Sequence, residues 1–216
     1  MNGTFTEKDT KTINQSVRNK DRDWRFIKRI LNSESDRLKR KLKIIELGSG
    51  TGSLAILANR TNLVKKYICV EGSKEMMRFI ELEFLPIVKC VNKNVEEIKK
   101  FENCDLVISK YFFHHLKNKK ETLLKIYESL GKEGKVIIID KFPRWNFLSI
   151  IIEKILHYTR IKKILGVHYY TNINDFENIF DNKNCSFEIL IKKVKRGKKL
   201  KNFHLMRIQY LLKKNK

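Results

Sequence analysis

The sequence predicts an α/β domain built on a mostly parallel sheet, and three observations carry that prediction. The stretch Lys43 to Ala58, KIIELGSGTGSLAILA, reads as strand, glycine turn and helix: Ile44, Ile45 and Leu47 form a β-rich run, Gly48, Gly50 and Gly52 permit a tight turn, and Leu54 to Ala58 resumes as helix. Further β-rich runs then alternate with helix-patterned segments, the order that produces a parallel sheet. One of them, Gly134 to Asp140 (GKVIIID), is apolar almost throughout, as suits a strand covered on both faces.

At 216 residues the chain holds one α/β domain with a full core and is too short to promise a second. Residues 1–42 read as an N-terminal helical extension and 43–216 as the single domain. The formal charge of +23 has three readings: a nucleic-acid footprint, attraction to an anionic membrane surface, or a compositional habit. Abundant Lys, Ile and Asn with sparse Pro, Gly and Arg are what an AT-rich coding sequence produces whatever the function. Cys69, Cys90, Cys104 and Cys185 lack C-x-x-C spacing and sit in or beside apolar runs, as reduced, buried cysteines of a cytoplasmic protein do. The start, MNGTFTEKDTKTINQ, has no apolar core and does not read as a secretory signal, and no segment has the uninterrupted run of about 20 apolar residues that a membrane span needs.

A glycine turn at a helix start presents free amides to a ligand at the carboxyl edge of the sheet. Two details decide against NAD. Ser53 stands where the dinucleotide fingerprint wants Gly or Ala, and Glu46 places a carboxylate just before the turn, where it would repel a pyrophosphate. No Gly-Lys-Ser/Thr follows, which excludes a Walker A loop. A cation suits the acidic approach better, and S-adenosylmethionine carries a sulfonium and an ammonium group and no phosphate. ELGSGTG resembles the first motif of the class I S-adenosylmethionine-dependent methyltransferases, a Rossmann-like family, and the chain is similar to members of the type 11/25 kind that act on small molecules or lipids. The resemblance implies a seven-stranded, mostly parallel sheet with helices on both faces and a closing antiparallel hairpin. It also implies that Glu46 and the turn Gly48, Ser49, Gly50 and Gly52 take the methionine and ribose part of the cofactor.

Taken in order, residues 12 to 40 carry Ile13, Val17, Trp24, Ile27, Ile30, Leu31 and Leu38 at roughly helical spacing, which predicts one or two amphipathic helices. In the resembled family such a segment packs over the cofactor cleft, so Trp24 and Phe26 are candidates for a lid; an apolar stripe that simply covers the sheet is the other reading. Lys66 to Glu71 (KYICVE) predicts a second strand, ending in a carboxylate about 20 residues beyond the first glycine. The resemblance makes Glu71, followed by Gly72, the acceptor of the ribose hydroxyls, a spacing NAD would share. Lys74 to Phe84 has a helical pattern that Pro86 ends, and Ile87 to Val91 predicts a third strand. Asn94 then stands where the family has Asp, so Asn94 and Val95 are the adenine contacts the resemblance implies, a plain loop Asn being the alternative.

Cys104 to Ser109 (CDLVIS) predicts the fourth strand, with Ser109 as the cleft floor by resemblance. The sequence that follows, KYFFHHL, lacks the Asn/Asp-Pro-Pro-Tyr/Phe of enzymes that methylate exocyclic base amines. It is similar instead to the His-His-Leu ending of methyltransferases acting on small molecules, quinones or lipids. His114 and His115 have two readings: a general base, since imidazole titrates near neutrality, or a packed pair that fixes the loop. A metal site is not expected, because adjacent residues point apart and no further ligand cluster accompanies them. A helix from about Lys119 to Leu130 is predicted to end at Gly131 as a C-cap, ahead of the strand that ends at Asp140.

Beyond Asp140, Phe147 to Leu165 interleaves apolar and basic residues, as either an interfacial membrane helix or a cover for the sheet that lines an acceptor pocket. His168 to Thr171 and a short helix from Ile173 to Phe180 add groups to such a pocket. Cys185 to Lys193 and Phe203 to Lys213 predict a hairpin with a basic tip, Val194 to Lys201, which would contact RNA or lipid phosphates or simply be solvated. The expected activity is methyl transfer from S-adenosylmethionine to a small-molecule or lipid-like acceptor in the cytoplasm or at a membrane surface, with RNA as the alternative acceptor and a non-catalytic binding protein as the third reading.

Overall fold

The computed structural model describes residues 23–81, 85–143, 173–182, 185–196 and 205–215. The apolar runs become strands: β1 (Leu42–Leu47), β2 (Val64–Val70), β3 (Val88–Val91), β4 (Cys104–Lys110) and β5 (Leu130–Pro143) pair in parallel in the order β3-β2-β1-β4-β5. Towards the end of the chain β8 (Leu205–Lys214) inserts antiparallel between β5 and β7 (Cys185–Arg196). The seven-stranded, mostly parallel sheet with a closing antiparallel pair is thus the architecture, and the two-residue strand β6 (Asp181–Asn182) is added at the edge beside β7.

Successive side chains of a strand point to opposite faces, and the sheet is buried on both. Ile44, Leu106 and Ile139 face α1 (Trp24–Leu38), α2 (Ser53–Asn59) and α3 (Lys74–Glu81), which contribute Ile27, Leu31, Leu54 and Met77 to that layer. Ile45, Val107 and Ile138 face α4 (Lys119–Ser129) and α5 (Ile173–Glu177), which bring Leu123, Ile126 and Phe176. Phe176 stacks edge-on against Phe113 and Phe180, so α5 is held by aromatic contacts despite its five residues.

Helix α1 crosses the sheet, and each end is tied by charge. At its start Asp23, 2% exposed, pairs with Arg207 and accepts a hydrogen bond from Gln209 Nε2 at 2.8 Å, both on β8. Near its other end buried Glu34 pairs with Lys135 of β5 and with Arg37. Beyond it, Arg40 grips Asp105 with two bonds of 2.7 and 2.9 Å. Burial would raise the Asp105 carboxyl, but the Arg40 bonds and the Lys43 N–H outweigh it and hold it below its ordinary value. Trp24 and Phe26, the candidates for a lid, pack against the α1 face of the sheet, and the Lys193 ammonium lies 5.5 Å over the Phe26 ring.

Two local expectations are corrected. Gly131 does not cap α4: Leu130 takes an extended conformation and already pairs with Cys104, so strand pairing claims the residues that a Schellman turn would use. Strand β7 runs on to Arg196, so Val194, Lys195 and Arg196 belong to the strand and not to the hairpin tip. Residues 12–22, the segment 147–165, His168 to Thr171 and the rest of the tip, 197–201, lie outside the described residues. No helix among the described residues is long and apolar enough to cross a membrane.

Candidate functional site

The glycine turn follows β1 and is held by the last carbonyl of β2, since Val70 O accepts the N–H groups of Gly48 at 2.9 Å and Ser49 at 3.2 Å. Gly48 and Gly50 have φ of +67° and +56°, a region that L side chains enter only at a cost. The two positions differ in their surroundings. A Cβ on Gly48 would stand 2.2 Å from the Phe112 ring, whereas one on Gly50 would meet, among the described residues, only Met76 Sδ at 3.8 Å. Among the described residues nothing else stands over Gly50, so as far as they go the backbone there is bare to a ligand. Gly52 serves a third purpose, letting the start of α2 close on Ile80 of α3.

Glu71 at the tip of β2 reaches back to this turn: Oε2 accepts the Gly50 N–H at 2.8 Å and Oε1 the Ser73 N–H at 2.9 Å. A carboxylate has about four acceptor sites, so each oxygen keeps capacity for a hydroxyl. Burial pushes the Glu71 carboxyl above its ordinary 4.5, against the pull of the Ser73, Gly50 and Gly72 amides. Among the described residues a Cβ on Gly72 would meet only the Asn94 backbone, at 3.8 Å, so the turn after β2 passes close to that loop without crowding it.

Glu46 is buried on the α1 side of the sheet, where Oε2 accepts the Tyr67 hydroxyl at 2.9 Å. One oxygen of the carboxylate expected to meet a ligand ammonium is thus already bonded within the fold. Tyr67→Phe should lower stability by about 2 kcal/mol, because a hydrogen bond to a buried charged group is lost; urea unfolding at unchanged slope measures it. Asn94 caps the 3-10 turn Val95–Glu97, its side-chain oxygen accepting the Glu96 N–H at 3.1 Å, and the Val95 side chain points into the core. Ser49 is buried in the glycine turn. Ser109, at the end of β4, is fully buried and its hydroxyl has no hydrogen-bond partner among the described residues.

A strained residue follows strand β4. Tyr111 has φ +54°, its N–H donates to Ile139 O at 2.7 Å, and its hydroxyl lies 3.5 Å from Asp23. That left-handed step turns the chain so that Phe112 lies on Gly48 and a 3-10 turn, Phe113–His115, follows. His114 is 8% exposed and bound to Asp140, which lies in β5 just beyond its pairing with β4: its N–H donates to Oδ2 at 2.9 Å and its Nδ1 lies 2.6 Å from Oδ1. The His115 ring, half-buried, stacks on that of His114 at 4.1 Å. Asp140 is the residue that sequence reasoning passed over as a strand terminus; a lone acid closing the apolar run VIIID was the available signal. Among the described residues no group of three His, Cys, Asp or Glu is placed to hold a metal ion.

The methyltransferase domain family matches this chain over residues 18–188, a span that includes the glycine turn, Glu71, His114 and Asp140. The chain belongs to that family. An uncharacterised methyltransferase of Alkaliphilus oremlandii is 29% identical over 150 residues, covering 67% of this chain and 68% of the relative. Among solved structures, an S-adenosylmethionine-dependent methyltransferase from Mesorhizobium loti superposes with a TM-score of 0.65 at 11% identity, over 80% of this chain and 91% of that one. The magnesium protoporphyrin IX methyltransferase of Synechocystis, solved with S-adenosylhomocysteine bound, gives 0.62 at 14% identity, over 89% and 83%. At these identities the structures speak for the fold alone. The methyltransferase assignment, of the class I S-adenosylmethionine-dependent kind, rests on the family match and on the sheet order. The residues around the turn fit such a cofactor: among the described residues, a glycine backbone at Gly50 that nothing crowds, a carboxylate with acceptor capacity at Glu71 and a buried hydroxyl without a partner at Ser109.

Proposed function

We propose that this methyltransferase binds S-adenosylmethionine across the Gly48–Gly52 turn and the tip of β2 and methylates a small-molecule acceptor. The observation that carries the reading is the bond between the Gly50 N–H and Glu71, which joins the two loops into one cradle whose space above Gly50 no other described residue fills. Bound there, the cofactor supplies a methyl group already activated on sulfonium. Glu71 would accept the ribose hydroxyls, the Gly50 backbone would lie against the sugar, and the loop Gly72, Asn94 and Val95 would flank the adenine. Ser109 would form the floor and Glu46 would carry the negative charge nearest the methionine end. What remains for the protein is to hold a nucleophile in line, which can supply several kcal/mol of the acceleration.

A small acceptor suits the depth of the site, where His114 is 8% exposed under the turn after β4, a place a polymer chain reaches poorly. Calorimetry tests the cofactor half. S-adenosylmethionine and S-adenosylhomocysteine should bind with micromolar Kd, about 8 kcal/mol, and NAD should not. Affinity should also weaken as pH falls through the carboxyl range. The Glu71 carboxyl is raised by burial, and its ionised form is the one that accepts two hydroxyls, so protonation competes with the ligand at a higher pH than it would for an ordinary glutamate. NAD binding with no adenosylhomocysteine binding would refute the cradle, and affinity constant from neutrality down to about pH 4 would refute the role of Glu71.

A further inference from the structure

We infer that Cys69 and Cys90 close into a reversible disulfide under oxidation, a redox switch set directly beneath the proposed cofactor cradle. The bridge itself stands on strand register; its effect on the cofactor rests on the reading above.

The register brings the two cysteines together. Strands β2 and β3 pair in parallel with Cys69 opposite Cys90. Neighbouring strands lie about 4.8 Å apart, inside the span of about 4.4–6.8 Å between Cα atoms that a disulfide accepts. Opposed residues of a pair point to the same face, and both cysteines pack in the cluster on the α1 side of the sheet, Cys69 fully buried and Cys90 half-buried. Both are free thiols. Cys104 stands opposite Leu130 and Cys185 opposite Asn182, so neither has a cysteine at its register position. The Cβ atoms of a disulfide stand about 3.8 Å apart, so closing the bond draws the strands together by about 1 Å. Strand β3 can give that much, because it has four residues and lies at the edge of the sheet.

The surroundings set the order of events. Burial raises both thiols above their ordinary 9.0; Glu46, Cys90 and Glu71 add to the effect on Cys69, and Glu81 to that on Cys90. The thiolate is the reacting form, so the pair stays reduced until a peroxide persists, and Cys90 is the one that solvent reaches. In the first step the Cys90 sulfur takes one oxygen of the peroxide as the O–O bond breaks, giving a sulfenic acid, and the other oxygen leaves as water with the thiol proton. The Cys69 sulfur then attacks the Cys90 sulfur: the S–S bond forms, the S–O bond breaks, and a second water leaves with the Cys69 proton. Each sulfur has lost one electron and the peroxide has gained two. Adjacency compensates for low reactivity in the second step, since the partner is already in place.

Both strands lead into the cradle. Glu71 follows Cys69 by two residues and its N–H donates to Val91 O at 3.1 Å, while Asn92 Nδ2 donates to Glu71 O at 2.8 Å. A bridge that pulls β3 towards β2 shifts these bonds, and with them the carboxylate that accepts the Gly50 N–H. Oxidation thus loosens the ribose end of the cradle and reduction restores it.

The test treats the full chain with hydrogen peroxide, blocks the remaining thiols and maps the peptides without reduction. Calorimetry gives the Kd for S-adenosylhomocysteine before oxidation, after it, and after dithiothreitol. The expected product is a monomer lighter by two hydrogens with Cys69 linked to Cys90, and a Kd raised by about tenfold or more that returns on reduction. Cys90→Ser, at a half-buried edge position, should bind as the reduced wild type does and lose both the link and the response. Peroxide also attacks methionines such as Met76 and Met77, and that damage would appear equally in the variant. Cys90 carried on to sulfinic acid while Cys69 stays a thiol, a link through Cys104 or Cys185, or a bridged protein of unchanged Kd would overturn the inference. Failure of the reduced protein to bind S-adenosylhomocysteine would count against the cofactor reading instead, and the peptide map would still decide the bridge.

Discussion

Gly50→Val should fold and fail to hold S-adenosylhomocysteine. At φ +56° any residue with a Cβ costs about 1–2 kcal/mol, a loss a domain of this size survives. Among the described residues the nearest atom to the new Cβ is Met76 Sδ at 3.8 Å, so they leave room for the side chain. The space it enters is the space the ligand needs, and the same substitution disturbs the N–H that Glu71 accepts. The Kd should rise by at least about 100-fold, or roughly 2.8 kcal/mol at 1.4 kcal/mol per tenfold. Calorimetry on a variant whose circular dichroism matches the wild type measures this. Normal affinity in a folded variant would place the cofactor elsewhere.

Gly48→Ala should do the opposite, damaging the fold before the ligand is added. The new Cβ would lie 2.2, 2.3 and 2.7 Å from Cδ2, Cγ and Cβ of Phe112, the root of a side chain as well as its ring, and φ is +67°. Left-handed strain of about 1–2 kcal/mol and overpacking of about 1–3 kcal/mol add to a loss of roughly 2–5 kcal/mol. A double-mutant cycle separates the two parts. In Phe112→Ala the crowding is gone, so adding Gly48→Ala to that background should cost only the backbone strain. Equal costs in both backgrounds would show that Phe112 does not set the demand for glycine at 48.

These two positions also show how much could be read from residue order alone. The spacing GSGTG after KIIEL announces a turn with bare amides, because glycine is the residue that tolerates the conformation, and the parallel strands announce themselves as nearly unbroken apolar runs. Which glycine meets a ligand and which meets a phenyl ring depends on Phe112, more than 60 residues later, and no local pattern encodes that. The same distance hid the partner of His114. His-His stands out in sequence, whereas Asp140 lies 26 residues away and resembles any polar strand end until β4 and β5 pair. The resemblance makes Asn94 an adenine contact, and the structure adds that its side-chain oxygen caps a turn, a role common for Asn and visible in sequence only once the Val95–Glu97 turn is known. Gly131 misled for the converse reason: a helix-ending glycine is a sound local signal, and pairing with β4 overrode it.

The tie between Asp23 and β8 spans 186 residues, joining the first described helix to the last described strand. On the ribosome, α1 emerges long before Arg207 and Gln209 exist, so its acid waits without its partners while the intervening strands are synthesised. Closing so long a loop is slow and pays its entropy before any contact returns it. A nascent chain arrested before β8 would leave β5 with an open edge and the stripe Ile27, Ile30 and Leu31 less firmly covered, the kind of surface that chaperones recognise. The placement of β8 makes its own synthesis a condition for covering α1 fully.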